Sequence, residues 1–163
     1  MLDLLISLGV SKQYVGDVWV AILFVGTSLL LIALVKRQNL GALIAAIYGA
    51  YAIETKIFFD FLSDPTLRFI TLLVMSVMLL LVFKKFFGEV AIGRNLLSEW
   101  IKAGLVSATI VGFAASIVMD WYSKAVLSGF FSTFSMSIFR SDEAQLVWMV
   151  APILVIYLLN LRR

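Results

Sequence analysis

The chain carries few side chains that could do chemistry. It has no His and no Cys. Imidazole bases, thiolate nucleophiles, disulfides, and the Cys- or His-based metal sites are therefore excluded. No G-x-x-x-x-G-K-[ST] phosphate loop occurs, and Gly93-Arg94-Asn95 does not replace one. No paired-Asp metal motif is present, and the reading calls for no cofactor and no catalytic residue. The ionisable residues that matter are those near apolar runs: Glu54, Lys56, Lys102 and Asp120. A charge in mid-membrane marks function by default. All four fall near the ends of such runs, which favours a structural, interfacial role. Glu54 and Lys56 are the exception to watch, because a deeper second segment would bury both. Thr27, Ser28, Ser107, Thr109 and Ser116 are hydroxyls within apolar runs and would be needed to line any polar path.

The elements that hold these residues follow from composition. Of 163 residues, 63% are hydrophobic and 14% charged. Soluble domains are closer to 45–50% apolar, so the expected fold is all-α, a single polytopic membrane domain. The hydrocarbon core needs about 20 apolar residues per helix. Five segments approach that: 18–35, 40–59, 66–83, 101–119 and 144–161. The second has only 14 apolar residues before Glu54, so a re-entrant hairpin is its alternative. Asp64-Pro65 and Ser141-Asp142-Glu143 are helix starts. Pro152 should kink the last segment. The N-terminal residues lack the basic n-region of a cleavable signal.

The net charge is +3 and the pI about 9.3. The basic residues flank apolar runs, so membrane orientation explains them better than nucleic acid does. Lys36, Arg37, Lys84, Lys85 and Arg162-Arg163 fall on one side of the alternating loops. That side holds eight Lys or Arg against five on the other. The positive-inside rule then puts the N-terminus and Ser63 and Ser135 outside, and Gln38 and the C-terminus in the cytoplasm. Trp19, Trp121 and Trp148 toward the outer face, and Trp100 toward the inner, read as an aromatic belt. Two connections look interfacial. Residues 95–102 form an amphipathic stub. Val126, Leu127, Phe130, Phe131, Phe134 and Ile138 form an apolar face opposite Ser128, Ser132, Thr133 and Ser135, with a greasy loop packed over the bundle as the alternative.

Two small-residue ladders at spacing four are the most specific pattern. Gly41, Ala45 and Gly49 lie on the second segment, and Gly104, Ala108, Gly112 and Ser116 on the fourth. Such stripes let helix backbones approach closely in lipid. The ladders are expected to pack on each other, with Gly49 level with Gly112. The Leu-rich third segment is expected to face lipid.

This layout resembles the bacterial CvpA (colicin V production) family of small membrane proteins over roughly residues 18–120. The likeness lies in the first helix stopped by Lys36-Arg37, the Gly/Ala-rich second helix from Gly41 to Ala52, the acidic outer connection, the apolar third helix, the basic inner loop from Lys84 to Arg94, and the Gly-bearing fourth helix. The chain departs from that family at Gln38, which stands where an Arg-Gly pair would be completed. It also lacks the Asp-Arg and Arg-Gly signatures near the fourth helix, and it adds a fifth. The resemblance implies a scaffold-like protein of the bacterial cytoplasmic membrane linked to secretion or envelope integrity. The expected function is a non-enzymatic membrane subunit that packs with itself or a membrane-protein partner. A small transporter or pore is the alternative.

Overall fold

The structure is a computed structural model that describes residues 15–35, 39–58, 64–86 and 96–161. All regular structure among them is helical. The elements are α1 (Val15–Val35), α2 (Leu40–Ile53), α3 (Pro65–Phe86), α4 (Leu96–Trp121), α5 (Lys124–Leu127), α6 (Thr133–Arg140) and α7 (Asp142–Leu161). Four helices are long and apolar enough to cross a membrane: Gly16–Val35, Pro65–Lys85, Trp100–Trp121 and Asp142–Leu159. The chain is thus a helical protein of membrane-spanning composition.

α2 is the exception in length. Its 14 α-helical residues rise about 21 Å, short of the roughly 30 Å hydrocarbon core. Among the described residues it is one unbroken helix. It continues into a π-helical turn, Glu54–Phe58. Thr55 helps open this turn by donating its hydroxyl to the carbonyls of Tyr51 (2.9 Å) and Ala52 (3.2 Å), a back-bond that commonly bends helices.

The helix starts form as their sequences dictate. Asp64 Oδ1 accepts from the Thr66 N–H at 3.0 Å, ahead of Pro65 in the first turn. Ser141 Oγ accepts from the Ala144 N–H at 3.2 Å. The amphipathic stub before the fourth segment is the start of one continuous α4.

α4 is the central post. It packs on α1 and α7, and touches α2, which packs most extensively on α3. Successive long helices alternate in direction. Ile32, Leu40, Leu43, Ala103, Val106 and Ile110 form the core at one end, with Leu80 and Leu159 against it. Ala50, Leu72, Phe113 and Ile117 continue it toward the other end, where Met119, Leu127 and Phe139 close it beneath the short helices. The outer faces of α1, α3 and α7 are apolar and exposed: Leu23, Leu29 and Leu34; Leu73, Met78 and Leu81; Leu146, Ile153 and Leu158. The inner side of α3 nonetheless meets α2, through Leu72, Met75 and Leu79.

The ladder pairing differs from expectation. α2 and α4 do meet, but through Leu43, Ile44 and Ala50 against Val106, Ile110 and Phe113. A Cβ on Gly49 would lie 3.1 Å from Leu79 Cδ1 of α3. A Cβ on Gly112 would collide with the Trp148 ring of α7. Each small face receives a large side chain from a different neighbour, because a groove accepts a bulky knob as readily as a second groove. Gly41, Ala45 and Ala108 are partly buried, and a Cβ on Gly104 would meet nothing within 4 Å.

Candidate functional site

Polar side chains gather at the end of the bundle where α2 and α4 stop and α1, α3 and α7 start. The reason is geometric: helices that alternate in direction bring those termini together. Glu54, just past α2, meets Arg68 in the first turns of α3. Arg68 Nε lies 2.5 Å from Glu54 Oε1. The carboxylate is 1% exposed and the arginine 15%. The Arg68 guanidinium also sits 4.9 Å from the centre of the Trp121 ring at the close of α4, a cation–π distance. Three helix ends are joined by one arginine. Glu54 Oε2 is buried with no hydrogen-bond partner among the described residues, an arrangement that costs desolvation energy.

This corrects the interfacial reading of Glu54. It does not reach for headgroups, because the first turns of α3 cover it. Lys56 does stay exposed, so the two residues part company. Asp120 is exposed at the end of α4, as its position suggested.

A second polar joint fastens α6 to α1. The hydroxyls of Ser132 and Ser135 both donate to Asp17 Oδ1, Ser135 at 2.5 Å. Ser132 also caps α6, accepting from the N–H groups of Phe134 (3.1 Å) and Ser135 (3.2 Å). Gly16 allows the approach: a Cβ there would stand 3.1 Å from the Phe130 carbonyl oxygen. The stretch 126–138 is therefore not one amphipathic face. It breaks into α5 and α6. Leu127 and Phe139 point inward, while Phe130 (74% exposed) and Phe134 (65%) point outward. Ser135, placed on the polar outer face, is buried.

Trp148 makes the third joint. Its Nε1 donates to the Ile138 carbonyl at 2.7 Å, and its ring stacks on Phe139 at 5.5 Å and 8°. The ring lies over Gly112. Trp148 thus packs inside the bundle, beyond the belt role expected of it. Trp100 is exposed at the opposite end, and Lys84 and Lys85 at the close of α3 are exposed too. Trp19 and Trp121 are partly buried. Lys36, Arg37, Gln38 and Ser63 lie outside the described residues.

The hydroxyls that would line a polar path do not converge. Ser28 donates to the Phe24 carbonyl (2.7 Å), Thr109 to Val106 (2.8 Å) and Ser116 to Phe113 (2.8 Å). Ser107 is buried with no partner among the described residues. Thr27 is exposed on the outer side of α1. Ser116 lines a cavity of about 220 Å³ together with Tyr51, Asp120, Asp142 and Gln145.

No group of three or more acidic side chains that could hold a metal ion occurs among the described residues. No sequence signal could have identified the Glu54–Arg68 and Asp17–Ser132 pairings, which depend on which helix ends meet. No protein-family model matches the chain, and no curated protein or solved structure matches it.

Proposed function

We propose that the protein is a non-enzymatic subunit or scaffold of the bacterial cytoplasmic membrane. It acts through helix packing with a second copy or a membrane-protein partner. α2 and its π-helical turn form a fifth traverse, with the N-terminus outside and the C-terminus in the cytoplasm. α5 and α6 lie at the outer surface, where Phe130 and Phe134 meet the headgroup region. The observation that carries this reading is how the polar side chains are used. Glu54, Arg68, Asp17, Ser132 and Trp148 all fasten one helix to another at one end of the bundle. The wide apolar faces of α1, α3 and α7 leave room for lipid or another membrane helix. The resemblance to colicin V production proteins supports a place in secretion or envelope maintenance.

The test is cross-linking in native membranes, followed by purification in mild detergent. A defined homo-oligomer or a stoichiometric membrane partner is the expected result. The transporter or pore is favoured by one feature, the cavity at the end of α4. Flux of small ions and solutes through liposomes holding the purified protein, above that of empty liposomes, would replace the scaffold reading with that one.

A further inference from the structure

Several polar side chains at this end of the bundle are engaged with each other, and others are not. Tyr51 of α2, Asp120 of α4, and Asp142 and Gln145 of α7 face a cavity of about 220 Å³. Among the described residues, none of these four side chains makes a hydrogen bond or ion pair. No Lys or Arg lines the cavity. Polar side chains from three helices therefore converge on one space, with two exposed carboxylates at its mouth.

The rest of the lining is apolar: Phe113, Ile117, Leu146 and Met149. Tyr48 lies one turn before Tyr51 on α2. Its ring stacks on Phe113 at 4.6 Å, and its hydroxyl donates to the Met149 carbonyl. Tyr51 meets the same Phe113 ring edge-on, at 5.9 Å and 82°. The cavity thus has an acidic mouth and walls that are aromatic and aliphatic.

We propose that this cavity binds a small organic cation, an ammonium group carried on a short apolar stem. The ammonium needs anionic acceptors, which Asp120 and Asp142 supply, and aromatic faces add cation–π attraction. The stem needs apolar contact, which Ile117, Leu146 and Met149 supply. The volume is below the roughly 300 Å³ at which drug-sized sites begin, so the ligand has few heavy atoms. A bare metal ion fits less well, because it would leave half the lining unused. A free amine and the amino headgroup of a membrane lipid present the same chemistry. The proposal is independent of the scaffold reading.

Calorimetric titration of the full chain in neutral maltoside micelles with n-hexylammonium tests it. Saturable one-to-one binding is expected, weakened at least about tenfold by Asp120→Asn or Asp142→Asn, the loss expected for a charged hydrogen bond. Glu143→Gln removes an exposed acid outside the cavity and should leave binding intact. Asp120→Glu and Asp142→Glu keep the charge and should retain it, which separates lost binding from lost folding. Native mass spectrometry identifies the source. Retention of phosphatidylethanolamine over phosphatidylglycerol, lost in Asp120→Asn, assigns the site to a lipid headgroup; equal retention of both assigns it to a free cation. The proposal is overturned if hexylammonium and phosphatidylethanolamine both fail to bind. Equal saturation by n-hexanol, or binding unchanged in both Asn variants, would also overturn it.

Discussion

Gly112 sits under the Trp148 ring, so even a methyl group there displaces the indole. Overpacking of this kind typically costs about 1–3 kcal/mol, and it also pulls Trp148 Nε1 from the Ile138 carbonyl. Gly112→Ala should therefore lower the unfolding temperature in detergent clearly. Gly104→Ala is the contrast. A Cβ there meets open space, and Ala is favoured over Gly in a helix by up to about 1 kcal/mol. That variant should be neutral or more stable in the same melt. A ladder model in which all small residues are equivalent would give equal losses instead. Spacing alone made the small residues legible as places of close approach. It did not reveal what approaches, because a stripe of Gly and Ala accommodates an indole, a leucine tip or another stripe equally well. Trp148, read as an interfacial residue from its place near a helix start, carries no sequence mark of its inward turn.

At the scale of elements, the joint between α2, α3 and α4 depends on Arg68. Removing one partner from a buried ion pair strands the other and costs about 3–5 kcal/mol. The two partners differ in exposure, so the losses should differ. Arg68→Met strands the fully buried Glu54 and releases Trp121. Glu54→Gln leaves an amide oxygen to accept from Arg68, which is partly exposed. The arginine variant should therefore be the less stable in urea or thermal unfolding, and equal losses would show that the pair is not buried in the membrane. Glu54 is thus structural, as expected, but through Arg68 rather than through the membrane interface. The start and stop of each helix were readable: Asp64-Pro65 and Ser141 form the caps their types require. The pairing of the ends was not, since Glu54 and Arg68 lie 14 residues apart across a connection whose path no local pattern fixes.

For the molecule as a whole, alternating helix directions place Ser128 and Lys85 at opposite ends, both exposed. With no native Cys, single-Cys variants need no background correction. Ser128→Cys should react with an impermeant maleimide in intact cells, and Lys85→Cys only after permeabilisation. Labelling of both from outside would remove the proposed orientation. Ser135→Cys is a poor reporter despite its loop-like sequence, because that side chain is buried against Asp17, and it should react far more slowly than Ser128→Cys. Four long apolar helices were legible from composition, since 18 or more apolar residues have few alternatives in water. α2 was not settled by its sequence: its length is ambiguous, and its place between α3 and α4 follows from neighbours rather than from itself. The hydrogen bond from Tyr48 to Met149 spans 101 residues, and this has a consequence for biogenesis. At about 5–20 residues per second on the ribosome, the acceptor arrives about 5–20 s after the donor. Throughout that interval α2 is a short helix with an unanswered hydroxyl, and the groove above Gly112 lacks its indole. A chain truncated before α7 should therefore turn over faster than the full chain in a pulse-chase, and an equal half-life would refute this.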